Sequence, residues 1–203
     1  EAGPVGGVPL GGSQFGAAIN ADCYLDQGYQ FDFYDGGGLD LCYLGLAECD
    51  GHGNINVSRF GPRIAGCGGF INITQNTHKV FFCGTFTAGG LKVKVEDGKV
   101  VIAQEGKQKK FLKDVEQITF NGDIALQNKQ EVMYITERCV FQLKEDGMHL
   151  TEIAPGIDLQ TQILDMMDFE PIVDRDANGE IKLMDAKLFA EGLMGLKEMK
   201  EGC

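Results

Sequence analysis

The sequence has few basic side chains and none of the long apolar runs that mark membrane proteins. It contains 18 lysines and arginines against 30 aspartates and glutamates, a formal net charge of −12 over 203 residues. This charge balance repels a nucleic-acid backbone and offers no polybasic contact with an anionic membrane. No apolar stretch approaches the roughly 20 residues that a membrane-spanning helix needs, and none resembles a signal peptide. We therefore expect neither nucleic acid nor a membrane as a partner.

The sequence also lacks the paired spacings that hold metals and disulfides. Its three histidines are far apart and match no metal-binding pattern. The seven cysteines include no C-x-x-C pair, and several lie in apolar stretches such as Leu41-Cys42-Tyr43. Buried, reduced thiols in a cytoplasmic protein are the better interpretation. We predict no metal site from these residues.

Glycine is abundant, with 29 residues that occur in clusters. Residues 1–20 contain so many glycines, together with two prolines, that they leave no room for a helix or a long strand. We predict a loop there. Because a domain seldom begins with such an unsupported loop, we expect Glu1 to be an interior residue of a longer protein whose preceding half is absent from this sequence.

Short apolar runs separated by turns predict an α/β domain over residues 1–170. The strongest strand signal is Val80-Phe81-Phe82, and Glu96-Asp97-Gly98 predicts the turn of a hairpin. A helix is predicted from Asp158 as N-cap, with Leu159, Ile163 and Met167 on one face. Residues 171–203 are expected to form an arm, helical near 185–196. The predicted strands are 39–44, 55–57, 80–86, 131–136, 139–143 and 148–153, with the hairpin over 91–103.

Glu1 and the glycines are the residues to which chemistry can be assigned. A desolvated carboxylate can attack an acyl thioester, and backbone N–H groups can stabilise the oxyanion that forms. Glycine lets the backbone lie directly against reacting atoms, and Gly66-Cys67-Gly68-Gly69 is the best candidate for such a loop. The alternative is that this segment is a structural turn and Glu1 a surface residue.

Six segments in a fixed order extend this pattern along the chain. Together they resemble the family I CoA-transferases over residues 1–172, most closely the single-chain acetate/propionate branch. That family pairs two similar open-sheet α/β domains, and its glutamate opens the second. The resemblance therefore implies that this chain is the C-terminal domain and that its partner is the N-terminal half of the same enzyme. The segments are Glu1-x-Gly3-x-x-Gly6-Gly7, Gly36-Gly37-Gly38-Leu39-Asp40-Leu41 with Leu44-Gly45, Asp50-x-x-Gly53-Asn54-Ile55-Asn56, Gly66-Cys67-Gly68-Gly69, Thr136-Glu137-Arg138-Cys139-Val140-Phe141, and Glu152-Ile153-Ala154-Pro155-Gly156-Ile157-Asp158.

The resemblance implies a cytoplasmic CoA-transferase that moves CoA between a short-chain acyl-CoA and a small carboxylate. Glu1 would carry CoA as a glutamyl thioester in a ping-pong reaction, with coenzyme A as substrate and no prosthetic group or metal. Gly68 and Gly69 would donate N–H groups near the oxyanion, Gly66 would shape the approach, and Asn20 would contact CoA. A turn-forming role is the alternative for each of these four. The family commonly forms homo-oligomers.

Two other functions remain open at this stage. Water in place of a carboxylate would make the protein an acyl-CoA hydrolase, and an idle glutamate would make it a scaffold. Tyr29, Phe31, Phe33 and Tyr34 could line an acyl pocket, although aromatic residues at alternate positions favour plain sheet core. The basic run 107–110 could meet CoA phosphates or simply be solvated.

Two further hypotheses concern the ends of the chain. Activated Glu1 could close on its own backbone nitrogen and so release a chain that begins with this residue, and a deliberate choice of chain boundary is the alternative. Near the other end, Asp174, Asp176 and Asn178 stand at the spacing of a calcium loop, with Asp185 in place of its bidentate glutamate. A solvated turn is the favoured interpretation there.

Overall fold

The structure, a computed structural model, describes residues 2–190 and Met194. Strands and turns predominate over helices in these residues. The helices are α1 (Gln27–Asp35), α2 (Phe70–Gln75), α3 (Gly122–Gln127) and α4 (Leu159–Gln162), with 3₁₀ turns at Gly12–Gln14, Leu164–Met166 and Ala186–Phe189. The strands are β1 (Pro4–Val5), β2 (Val8–Pro9), β3 (Ala18–Ile19), β4 (Cys23–Tyr24), β5 (Leu41–Gly45), β6 (Glu48–Cys49), β7 (Ile55–Asn56), β8 (Arg59–Phe60), β9 (Arg63–Ile64), β10 (Lys79–Cys83), β11 (Thr87–Ala88), β12 (Lys92–Glu96), β13 (Lys99–Gln104), β14 (Gln108–Lys109), β15 (Glu131–Ile135), β16 (Cys139–Lys144), β17 (Gly147–Ile153) and β18 (Ile172–Val173).

A six-stranded mixed sheet organises the described residues, in the order β18-β17-β16-β15-β10-β5. Strands β5, β10 and β15 are mutually parallel, with Phe81 of β10 opposite both Tyr43 and Met133. Strand β16 runs antiparallel to β15 and β17, and β18 runs parallel to β17. The open-sheet α/β expectation is confirmed, and the sheet has a parallel half and an antiparallel half.

One face of the parallel half is packed into an aromatic core. Phe82 is fully buried and its ring stacks on Phe70 at the start of α2, with 5.6 Å between centroids. Phe120, which precedes α3, and Tyr134 of β15 contact the same ring at 5.0 and 5.4 Å. Val80, two residues earlier on β10, is fully buried on this face as well. The alternation along Val80-Phe81-Phe82 therefore gives this strand one deeply buried face, as its period of two requires.

The predicted hairpin and the three later strands form where the sequence placed them. Strands β12 and β13 pair antiparallel, and their turn lies at Asp97, whose φ of +51° is left-handed, and Gly98, whose φ is +72°. Strands β15, β16 and β17 match the predicted segments within one residue at most ends. These segments combine β-branched and aromatic residues with clear turns, which is the strongest local signal for strands.

Of the two interpretations of Tyr29, Phe31, Phe33 and Tyr34, plain sheet core is wrong, and a wall of an acyl pocket stays a prediction. These residues lie on helix α1, where the carboxylate of Asp26 caps the amino end by accepting from Gly28 N at 3.0 Å. Tyr34 is buried, whereas Tyr29 is 76% exposed. Aromatic residues at positions 29, 31 and 33 imitate strand alternation, but the capping aspartate starts a helix at the segment and Gly36 ends it.

The helix predicted from Asp158 is shorter than its apolar spacing suggested. Asp158 is the N-cap and accepts from Thr161 N at 2.8 Å, as expected. However, Ile163 has φ −123° and ψ −69°, so α4 ends at Gln162 and a 3₁₀ turn follows. Ile163 and Met167 are both buried. The apolar spacing therefore predicted the burial of Ile163 and Met167 correctly, but the backbone that joins them is not one continuous helix.

The chain beyond Pro171 begins by adding a strand to the sheet. Residues of β18 pair with His149 and Leu150 of β17. Of the helix predicted over 185–196, the 3₁₀ turn Ala186–Phe189 is found, and residues 191–193 and 195–203 lie outside the described part of the chain. The division at residue 171 stays a prediction. Within the described residues, no helix has the length and apolar character required to cross a membrane.

Candidate active site

The carboxyl ends of the three parallel strands meet at one edge of the sheet. Strand β5 ends at Gly45, β10 at Cys83 and β15 at Ile135, and their Cα atoms are in register. In open α/β sheets, ligands bind outside the carboxyl ends of parallel strands. The segments that leave this edge, and the start of α2 that returns to it, are therefore the first place to look for a site.

The predicted glycine loop lies immediately before α2 and has an unusual backbone. Gly66 has φ +80° and Gly68 has φ +52°, both left-handed, and neither has an atom within 4 Å of where a Cβ would stand. Gly69 is the N-cap of α2 and has no side chain to cap it. Among the described residues, no hydrogen-bond acceptor is found for the N–H groups of Gly68 and Gly69. The loop thus presents free backbone donors with open space beside them.

A cavity lies between the end of β5 and the first turn of α2, which the glycine loop precedes. Its volume is about 440 Å³, and it is lined by the carboxyl end of β5 and the first turn of α2. Phe70, which directly follows Gly69, is one of its lining residues, and Leu44 and Gly45 form the opposite wall. The glycine loop therefore leads directly into a helix whose first turn lines this cavity together with the end of β5.

The N-terminal segment places the other predicted site residues. Glu1 lies outside the described residues. Gly3 has φ +98°, and a Cβ there would stand 2.5 Å from the carbonyl oxygen of Leu25, while a Cβ at Gly7 would stand 2.3 Å from that of Ile19. These glycines of the glutamate motif are required because the chain folds back closely on itself through β1–β4 and β2–β3.

Asn20 occupies an exposed turn in that same segment. Its φ of +56° is left-handed, a conformation that asparagine tolerates better than most residues. This geometry accounts for the turn-forming interpretation, while its predicted contact with CoA stays a prediction. No hydrogen bond within the described part of the chain joins residues 2–25 to the glycine loop.

A buried arginine fastens the loops that leave the sheet edge. Arg138, in the turn after β15, has a fully buried side chain that meets Glu105 at 2.8 and 3.0 Å and Glu137 at 2.6 Å. Its guanidinium lies 4.8 Å from the ring centroid of Phe86, which follows β10. Glu137 also accepts from the N–H of Phe86 at 2.8 Å. The loops after β10 and β15 are thereby tied together.

Arg138 and Glu105 are held in their ionised forms. Burial opposes ionisation of Arg138, but the hydrogen bonds that it donates to Glu105 and Glu137 outweigh burial and raise its pKa. Burial likewise opposes ionisation of Glu105, but the contacts with Arg138 and Thr87 leave its pKa lowered. The cluster is a rigid support for the edge of the sheet.

Sequence reasoning found only part of this support. Glu137 and Arg138 were noticed as part of a family segment, and charged residues directly after a buried strand are a readable signal. Glu105 stands 33 residues earlier, and nothing local marks it as the partner. Only the tertiary fold brings these residues together.

The basic run 107–110 has structural contacts in the described chain. Lys109 forms an ion pair with Asp168 at 2.7 Å. Lys110 is buried and donates to the carbonyl of Thr85 at 2.7 Å, and burial lowers its pKa despite the nearby Glu137. Lys110 therefore holds the loop after β10, and Lys109 ties β14 to the segment at Met167 and Asp168. Contact of this run with CoA phosphates stays a prediction.

In the segment with calcium-loop spacing, Asp174 and Asp176 contact other groups of the chain. Asp174 binds Lys144 at 2.8 Å, and Asp176 accepts from the backbone of Asn178 and Glu180. Within the described residues, no group of three or more histidine, cysteine, aspartate or glutamate side chains is placed to hold a metal. This geometry is that of the solvated turn favoured from the sequence.

The chain is strongly similar to known CoA-transferases in sequence and in fold. It is 54% identical over 195 residues to acetate CoA-transferase YdiF of Escherichia coli strain K12, covering 96% of this chain and 36% of that protein. It is 52% identical over 201 residues to caffeate CoA-transferase of Acetobacterium woodii, covering 97% and 37%. The crystal structure of YdiF from E. coli O157:H7 as a thioester complex with CoA matches with a TM-score of 0.87 and 53% identity, over 96% of this chain and 36% of that one.

The chain belongs to the family I CoA-transferases. A search of protein-family models returned no match, so this assignment rests on the individual relatives. The chain spans about a third of the length of the curated relatives it matches, 36% for YdiF. The family resemblance predicted from six short segments is confirmed, as is the mixed α/β fold that it implied.

Proposed function

We propose that this chain is the glutamate-bearing C-terminal part of a CoA-transferase that moves CoA between a short-chain acyl-CoA and a small carboxylate. The observation that carries the proposal is the 54% identity to an acetate CoA-transferase across 96% of the chain. The structural likeness to a CoA thioester complex of that relative supports a covalent route. Glu1 is the residue proposed to carry the thioester.

In the proposed ping-pong reaction, a Glu1 carboxylate oxygen attacks the acyl-CoA carbonyl, and the CoA thiolate leaves. The resulting acyl–glutamyl anhydride is then attacked at the glutamyl carbonyl by that thiolate, which releases the first carboxylate and leaves the Glu1–CoA thioester. A second carboxylate reverses both steps and departs as the new acyl-CoA. CoA is thus both substrate and covalent intermediate, and every step exchanges one acyl bond for another.

The glycine loop supplies what this chemistry needs from the backbone. Each attack places negative charge on a carbonyl oxygen, and preorganised N–H donors stabilise such charge. The N–H groups of Gly68 and Gly69 are the proposed donors, since the described residues offer them no other acceptor. The space beside Gly66 and Gly68, where a Cβ would stand, is free of atoms of the described chain. Asn20 is proposed to contact CoA from the N-terminal segment.

The proposal includes the rest of the enzyme as a partner. The relatives are nearly three times longer than the matched segment, so we propose that an N-terminal half of the same polypeptide completes the active site. We further propose that residues 1–170 form the C-terminal domain and 171–203 an arm, and that the assembled enzyme is a cytoplasmic homo-oligomer.

Transfer can be tested by incubating the complete enzyme with unlabelled acyl-CoA and isotopically labelled acetate. Label in newly formed acetyl-CoA is expected, with release of the original acyl group as its carboxylate. Glu1→Gln is expected to abolish this exchange because an amide cannot form the anhydride, whereas Glu96→Gln on the exposed hairpin is expected to leave it intact. An acetate-independent release of thiol without labelled acyl-CoA would instead identify a hydrolase.

A further inference from the structure

The parallel half of the sheet has one face that the described chain leaves open. Opposite the buried row of Val80 and Phe82, the side chains of Leu41, Tyr43 and Phe81 point outward. Leu41 is 47% and Tyr43 65% exposed. Tyr43 and Phe81 are neighbours in register, and their rings stack at 4.9 Å with an angle of 17° between planes.

The open face continues across the next strand. Met133 stands opposite Phe81 in the register of β10 and β15, and Ile135 stands opposite Cys83. Both apolar side chains are only partly buried, and Cys83 is exposed. At the amino edge this surface ends in an ion pair between Lys79 and Glu131 at 3.1 Å. We call the surface of Leu41, Tyr43, Phe81, Cys83, Met133 and Ile135 the open face.

On the same side of the sheet, the antiparallel strands β16 and β17 carry polar side chains that contact other described residues. On the antiparallel half, β16 and β17 present Gln142, Lys144 and His149, and Asp174 of the C-terminal arm binds the last two. Lys144 and His149 therefore already have partners, and Val140 on the same side is buried. The open face is apolar, and among the described residues nothing packs over Tyr43.

Such a surface does not match how parallel sheets behave. Parallel strands occur almost only where both faces of the sheet are covered, because their connections place helices on both sides. Here α2 and α3 cover one face only. Contiguous aromatic and aliphatic side chains on the other face mark an interaction surface.

We infer that the open face is the docking surface for a layer of amphipathic helix from the remainder of the same polypeptide. The inference rests on the proposed function, in that the chain is taken to be a segment of a CoA-transferase. The occupant is argued from length, since the segment accounts for 36% of the relatives that it matches at 54% identity. A helix presenting leucine-like residues to Tyr43 and Phe81, and an acidic or basic residue to the Lys79–Glu131 rim, fits this surface.

The inference is tested by thiol labelling of the complete polypeptide. Tyr43→Cys places a thiol at the centre of the open face, and Val95→Cys places one on the hairpin strand β12, where Val95 is 52% exposed. In the native complete protein we expect N-ethylmaleimide to label position 43 at least about 10-fold more slowly than position 95, because packing excludes the reagent. Equal rates at the two positions would overturn the inference.

A second readout needs no change that could disturb folding. Native Cys83 lies on the same face, so its labelling in the unsubstituted protein, read by peptide mass mapping, is expected to be slow until the protein is unfolded. Rapid labelling of Cys83 in the native protein would count against the cover even if the Tyr43→Cys variant failed to fold.

The occupant is identified by photo-cross-linking from p-benzoylphenylalanine at position 43. A cross-link to residues of the same polypeptide outside this segment supports the inference, and mixing isotopically heavy and light copies separates it from a cross-link to a second copy. A second copy, or no cross-link with rapid labelling, overturns it. The labelled-acetate exchange is run on the same samples: protection without exchange contradicts the proposed function alone, and exchange with rapid labelling contradicts the docking surface alone.

Discussion

The two halves of the sheet present opposite surfaces on the same side. The antiparallel half carries Lys144 and His149, both of which Asp174, next to β18, contacts. The parallel half carries Phe81, which is partly buried, and Tyr43, which is 65% exposed and stacks on it. The polar side chains of the antiparallel half find partners nearby in the chain. The apolar side chains of the parallel half contact one another, and the proposed cover for them comes from elsewhere in the polypeptide. The comparison teaches that the described residues cover one half of this side of the sheet much more fully than the other, where we propose a further layer of the polypeptide.

The largest effect is expected from the neighbouring pair Phe82 and Phe81. Phe82→Ala should lower the free energy of unfolding of the complete protein by about 3–5 kcal/mol, because it empties a fully buried aromatic site. Phe81→Ala on the open face should cost about 2 kcal/mol or more once the remaining polypeptide covers it. Urea-induced unfolding measures both, and a negligible cost for Phe81→Ala would mean that this face stays in water.

A somewhat smaller loss is expected at the junction of the two halves. Arg138→Ala leaves Glu105 and Glu137 without their cation and should cost about 3 kcal/mol, the low end for a broken buried pair because Glu105 is 31% exposed. Arg59→Ala removes a cation from an exposed pair with Glu116 at 3.6 Å and should cost under about 1 kcal/mol. Equal costs in urea-induced unfolding would contradict the supporting role of Arg138.

The smallest effect is a local pH dependence at β17 and β18 in the antiparallel half. Burial opposes ionisation of Asp174, but hydrogen bonds from Lys144 and His149 outweigh it and lower its pKa. The hydrogen bond from His149 also lowers the pKa of Asp146. Stability from these carboxylates is therefore fully present above the unfolded pKa of about 3.9 and is lost as the pH falls through the lowered folded value.

Hydrogen exchange across β17 and β18 measures this effect. After correction for the intrinsic exchange rate at each pH, we expect the protection of these amides to fall below about pH 4. The fall should be smaller in Asp174→Asn, and the amides of β10 should respond much less. If Asp174→Asn left the pH dependence of exchange at β17 and β18 unchanged, a group other than Asp174 would control the stability of these strands.

The sequence alone predicted the elements that have strong local signals. The strands β10, β15, β16 and β17 and the hairpin at Asp97-Gly98 were found because apolar alternation and turn residues agree there. Helix α1 was missed because its aromatic residues alternate like a strand. The short helices α2 and α3, of six residues each, are held by tertiary packing and carry little periodicity of their own.

The part of the candidate site that could be predicted from the sequence is the glycine loop, because its left-handed backbone conformations favour glycine. Gly66 and Gly68 were identified from sequence and adopt left-handed conformations beside a cavity at the sheet edge. The partnership of Arg138 with Glu105 was not predictable, since it joins residues far apart in sequence. The open face of the parallel half escaped notice too, because Leu41 and Tyr43 resemble ordinary core residues until their neighbours are known.

The most direct test of the central claim is to trap CoA on Glu1. The complete enzyme is incubated with acetyl-CoA, treated with borohydride, and digested for mass analysis of the peptide that contains residue 1. The account predicts that the Glu1 side chain is reduced to the alcohol only after acyl-CoA exposure, in the unsubstituted protein and in Glu96→Gln alike. An unmodified Glu1 in an enzyme that still exchanges labelled acetate into acetyl-CoA would contradict the claim that this residue carries the thioester.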